Sequence, residues 1–116
     1  MATPRSERVA GLLRRELADI LQQSFEFELP SGLISVTDVE VSRDLSHAKV
    51  YVAVLEIEQA SDIIAFLNEH AGQVRHELGH RIRLRLTPSL KFIHDTSSES
   101  GQRIEQLLAA ARKPVR

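Results

Sequence analysis

The chain has 116 residues, 42% of them apolar and 27% charged, with no cysteine. That fits one soluble domain with a modest core and excludes a disulfide framework, a cysteine-based metal site and a thiol nucleophile. The net charge of −1 conceals a segregation: residues 1–15 carry four arginines against Glu7 (+3), residues 16–69 two bases against eleven acids (−9), and residues 70–116 nine bases against four acids (+5). The basic C-terminal half is suited to meeting phosphates.

The opening MATPRSERVAGLLRRELADILQQ keeps charges throughout its apolar stretch, so it reads as neither a signal peptide nor a membrane span. Thr3-Pro4 resembles an N-cap followed by proline at the first helical position. Val9, Leu12, Leu13, Leu17, Ile20 and Leu21 then recur at helical spacing, predicting a long amphipathic helix. Pro30-Ser31-Gly32 breaks the chain. LISVTDVEVS follows as a strand whose alternation changes phase near Thr37-Asp38, the mark of a bulge or strong twist. Arg43-Asp44-Leu45-Ser46 makes a turn, and HAKVYVAVLEI returns as a second strand with Ala48, Val50, Val52 and Val54 on one face.

SDIIAFLNEH reads as a helix capped by Ser61. His70-Ala71-Gly72 interrupts it, and QVRHELGHRIRLRL continues as a second helix, ended by Pro88. SLKFIH forms a short third strand. Thr96 and Glu99 offer a capping box for a last helix holding Ile104, Leu107 and Leu108. No repeat or linker divides the chain, so residues 1–116 are expected to form one domain. The expected class is α+β, in the order α-β-β-α-α-β-α, with a three-stranded sheet and helices packed on one face.

The segment HELGH matches His-Glu-x-x-His, which on a helix offers two imidazoles to a catalytic zinc and a glutamate as general base. A third protein ligand is required. The extended motif needs glycine at 83 and histidine at 86, where this chain has Arg83 and Leu86. Glu99, the remaining downstream candidate, is already accounted for by capping. Arg75, Arg81, Arg83 and Arg85 crowd the segment and oppose a dication, with no carboxylate placed to orient the rings. At 100° per residue Val74, Leu78 and Ile82 form the buried stripe, leaving His76, His80 and Arg83 toward solvent. A zinc hydrolase is therefore disfavoured, and no metal or other cofactor is expected. Asp44, Ser46 and His47 share an exposed turn and form no shielded triad. No phosphate-binding glycine loop is present.

The element order is that of a type II KH domain, in which G-x-x-G normally clamps a nucleotide backbone between the two middle helices. Here the junction is the helix-kink-helix His70-Ala71-Gly72. RVAGLLRRELADILQ, SVTDVEVSRDLSHAKVYVAVL, LGHRIRLRLTPSLKF and the series Asp95, Ser97, Glu99, Gly101, Arg103, Ile104 together resemble the ribosome-binding factor A family over nearly the whole chain. The family's kink usually reads Ala-x-Gly, with His70 here in the alanine position, and the basic C-terminal extension of some members is not expected. The resemblance implies a non-catalytic, KH-like protein that binds free 30S ribosomal subunits near the neck late in assembly. It further implies help with 5′-end maturation of 16S rRNA, importance in the cold and a functional link to assembly GTPases. A cytoplasmic monomer without membrane contact is expected.

Aromatics make up only 4% of the chain, and Tyr51 is alone on a long strand, which argues against base stacking on the sheet. Arginine, lysine and helix termini on phosphate are the available chemistry. The expected RNA-binding surface comprises Arg75, Arg81, Arg83, Arg85 and Lys91, with His76 and His80 as further donors and Gly72 admitting close approach of RNA backbone. Arg81 and Arg85 also flank the apolar stripe, where their stems can snorkel. Arg8, Arg14 and Arg15 form a second candidate patch. The competing reading is a protein-interaction module using the acidic stretch 16–69.

Overall fold

The structure, a computed structural model, describes residues 4–24, 34–84 and 86–97. Helix α1 (Pro4–Ser24) begins on its proline, where the missing N–H costs nothing. Its stripe Leu13, Leu17, Ile20 and Leu21 is buried, with Val9 and Leu12 packed at the margin.

Strand β1 (Ile34–Val41) pairs antiparallel with β2 (His47–Val54), and β2 pairs parallel with β3 (Ser89–His94), giving the order β1-β2-β3. The register of β1 on β2 shifts between Val36 and Asp38. Thr37 is the extra residue, so the expected bulge is present, and it returns Val39 and Val41 to the face already occupied by Ile34 and Val36. In the turn, Leu45 takes a left-handed φ of 63°. Asp44 stabilises that turn by accepting from the Ser42 and Ser46 hydroxyls, both at 2.7 Å, and the Ser46 amide at 3.1 Å.

Helices α2 (Ala60–Glu69) and α3 (Ala71–Arg81) connect β2 to β3. Ala48, Val50, Val52, Val54, Leu90 and Phe92 are buried in one cluster with residues of all three helices. The intervening Lys49 and Lys91 are exposed, as alternation requires of a sheet covered on one side. The α+β, KH-like architecture is therefore as expected.

Several boundaries differ. Strand β2 stops at Val54, and a 3-10 turn (Ile57–Gln59) leads directly into α2. Ser61 accordingly lies inside the first turn of α2, and Gln59 holds the cap position without a side-chain bond. Helix α3 ends at Arg81, and Ile82 is extended at φ −121°, ψ 151°, so residues 82–84 do not continue it. From Ile82 the apolar residues alternate with arginines, and an extended backbone keeps Ile82 and Leu84 on the core where a helix would splay them apart. At the exit of β3, Asp95 accepts the Ser97 amide at 2.9 Å. Thr3, the break at 30–32, Arg85, Glu99 and the expected last helix lie outside the described residues.

At the outer edge of β3 a side chain takes up the backbone groups of Phe92. The Asn68 carboxamide donates to Phe92 O at 3.0 Å and accepts from Phe92 N at 2.8 Å, standing in for a strand neighbour. Leaving either part-buried backbone group without a partner costs about 1–3 kcal/mol.

Candidate nucleic-acid interface

The site is built around the junction of α2 and α3. His70 caps α2 at φ −101°, ψ 12°, and its carbonyl accepts the Val74 amide at 3.0 Å, opening α3. Its imidazole folds back on α2: Nδ1 lies 2.9 Å from Phe66 O, and the ring centroid is 4.2 Å from that of Phe66. A carbonyl only accepts, so Nδ1 carries the proton. Histidine at this position therefore anchors the kink, which is present as expected.

Spacing along α3 sets Gly72, Arg75, His76, Gly79 and His80 on one face. Together with Leu86 and Thr87 they line an open groove of about 520 Å³. A Cβ at Gly72 would meet nothing within 4 Å, so the helix backbone is bare there. At Gly79 a Cβ would stand 3.2 Å from the Thr87 hydroxyl, so glycine lets the segment before β3 approach α3. Arg75 holds that segment in place, its Nε and Nη2 donating to Thr87 O at 3.0 and 2.7 Å.

The other expected residues separate. Arg83 is exposed beyond the end of α3, and Arg85 lies outside the described residues. Arg81 turns to the α1 side, donating to Asp19 and Gln23, with Glu16 at 3.6 Å and Glu77 at 3.9 Å. The Asp19 carboxylate, first among these, raises the Arg81 pKa above its usual value. Lys91 stands on the uncovered face of the sheet beside Lys49, its partner in register. Structure thus brings Gly72, Arg75, His76 and His80 together but not Lys91, and Arg81 is occupied by carboxylates. Arg8, Arg14 and Arg15 are exposed on α1. Arg8 and Arg15, seven apart, share a stripe, while Arg14 reaches Thr37 O at the bulge at 3.4 Å.

Sequence reasoning overlooks Gly79, Leu86 and Thr87. Gly79 carried a usable signal, lying two turns from Gly72 on the same face, whereas Thr87 enters only through the early end of α3.

In the HELGH segment both rings are exposed, with His76 Nε2 and His80 Nε2 3.1 Å apart. Among the described residues no group of three or more His, Cys, Asp or Glu side chains is placed to hold a metal ion, and no helix is long and apolar enough to cross a membrane. In the Asp44 turn, His47 Nδ1 faces the Ser89 hydroxyl at 2.7 Å, while the Asp44 carboxylate is taken by serines.

An antiparallel pair joined to a parallel third strand, helices on one face and a kink between the middle helices define a KH-like α+β domain. Comparison with known proteins places it further. The family model "Ribosome-binding factor A" matches residues 5–108, and the chain belongs to that family. It is 47% identical over 111 residues to ribosome-binding factor A of Thermosynechococcus vestitus, covering 93% of this chain and 88% of that one. The crystal structure of the Thermus thermophilus factor is similar at a TM-score of 0.65 and 28% identity, covering 77% of this chain and 94% of that one. A homology model of the Thermus thermophilus factor, fitted into a cryo-EM map of its complex with the 30S subunit, is similar at a TM-score of 0.60 and 28% identity, covering 76% and 92%.

Proposed function

We propose that this chain is a cytoplasmic, non-catalytic, monomeric factor that binds free 30S subunits through phosphates of 16S rRNA. In this reading it assists late maturation of the subunit, including processing of the 16S 5′ end, alongside assembly GTPases and most critically in the cold. The observation that carries the reading is the likeness to the Thermus thermophilus factor as fitted into a 30S complex. The geometry supports it locally. Gly72 leaves backbone bare, Arg75 with His76 and His80 supplies donors along an open groove, and Arg83 is exposed just past the helix end. Arg8 and Arg15 on α1 are a second contact. Such groups position a protein on folded RNA without reading sequence.

Phosphate-dominated binding weakens steeply with salt, because each neutralised phosphate releases counterions. The test is cosedimentation with 30S subunits and with 70S ribosomes across a salt series. The comparison is between wild type and a variant with Arg75, Arg83 and Arg85 all changed to Ala, its folding checked by circular dichroism. Association with 30S but not 70S, and a shallower salt dependence in the folded variant, are expected. Equal binding by the variant at every salt concentration would overturn the assignment of the groove.

A further inference from the structure

Phosphate binding leaves one feature of the groove unused, the closeness of two imidazole nitrogens. His76 and His80 stand one turn apart on α3, their rings nearly perpendicular at 84° and their Nε2 atoms 3.1 Å apart. At that distance one Nε2–H donates to the other Nε2. We propose that this pair chelates one borderline transition-metal dication, such as Ni²⁺ or Zn²⁺, through the two Nε2 atoms, with its remaining coordination positions open to the groove.

Two imidazole nitrogens each about 2.0–2.1 Å from a metal lie roughly 2.9 Å apart at a right angle and roughly 3.4 Å apart at the tetrahedral angle. The observed separation falls between these limits, so the two rings as placed already span the bite of a cis chelate. Only rotation about the soft ring torsions is needed to turn both lone pairs to one point. Both must be unprotonated, so the donor ring moves its proton to Nδ1, the tautomer of an Nε2-bound histidine.

The electrostatic objection raised by the arginine-rich sequence is reduced in the fold at Arg81 and Arg83 but not at Arg75. Arg81 faces Glu16 and Asp19 on α1 and Arg83 lies past the end of the helix, whereas Arg75, bonded to the neutral Thr87 O, keeps its charge beside the pair and lowers the affinity of the chelate. Glu77, the motif's glutamate, is turned toward Arg81 and takes no part. With two protein ligands the site is an open chelate rather than a hydrolase centre, and water or an anionic oxygen completes the shell. Its existence stands on the imidazole geometry, independently of ribosome binding.

The experiment is calorimetric titration of the untagged full chain with Ni²⁺ near neutral pH after treatment with chelator, followed by NMR of the histidine ring protons. One equivalent should bind, shifting the His76 and His80 signals. Both rings are exposed, so His76→Ala and His80→Ala should fold normally. Each should weaken binding by roughly tenfold or more, since loss of even a supporting contact at a metal site costs that much. His47→Ala, at the start of β2 and not among the residues lining the groove, should leave affinity unchanged. Absence of saturable binding would overturn the proposal. So would affinity unaltered in either His76→Ala or His80→Ala, or an equal loss in His47→Ala.

Discussion

Asp44 shows how much of one residue's work is visible in sequence and how much needs coordinates. Aspartate and serine in a turn announce themselves by composition. That a single carboxylate oxygen gathers two hydroxyls and an amide is a matter of geometry. The Ser46 hydroxyl above all, then the Ser42 hydroxyl and the Ser46 amide, lower the Asp44 pKa from 3.8 to about 2. A carboxylate with a depressed folded pKa stabilises the fold fully above its unfolded value and loses that contribution as pH falls toward the folded value. Urea midpoints should therefore be lower for Asp44→Asn than for wild type at neutral pH, and the difference should close between pH 3.8 and about 2. The Asp95 carboxyl, held down by the Ser97 hydroxyl and then by Thr37, should add to the acid sensitivity of the wild type in the same direction. Asn68 marks the opposite limit, since its partner Phe92 lies 24 residues away and nothing local links the two.

Among the elements, β1 was legible down to its bulge, because one inserted residue is what moves the apolar set to the opposite parity while the strand continues. The end of α3 was harder, although the pattern RIRLRL already alternates with period two. Helical spacing through Leu78 and Ile82 masks that alternation, because Ile82 satisfies both periods. The early end matters for the site. It frees the segment before β3 to cross back over Gly79 and form the second wall of the groove. Gly72 and Gly79 are therefore not equivalent. At Gly72 a side chain meets open space, and alanine is the better helix former by up to about 1 kcal/mol. Gly72→Ala should accordingly raise or preserve thermal stability while weakening association with 30S subunits, since the methyl group keeps RNA backbone off the helix. Paired melting and cosedimentation measurements check the split, and loss of both properties together would assign Gly72 to the fold alone.

At the scale of the molecule, charge segregated along the sequence becomes charge divided between faces. The groove on α3 lies on the helical side, while Lys49 and Lys91 sit together on the uncovered face of the sheet. Sequence could not divide them, because membership of a face depends on strand register and on which side the helices cover. Arg81, adjacent to His80 in sequence, is likewise directed to α1 by Glu16 and Asp19. If the domain docks by its helical side, as proposed, Arg83 meets phosphate and Lys91 is held away from it. Each lost phosphate contact lowers the slope of log affinity against log salt by about 1 and weakens binding to any sequence alike. Arg83→Ala should therefore flatten that slope by about one contact, whereas Lys91→Ala, equally exposed and equally charged, should leave slope and affinity unchanged. Arg81→Ala should instead lower the melting temperature, because it leaves Glu16, Asp19 and Glu77 facing one another uncompensated. A salt series on 30S binding and a melting curve for each of the three variants separate these roles. A slope change for Lys91→Ala equal to that for Arg83→Ala would mean that RNA embraces both faces of the sheet.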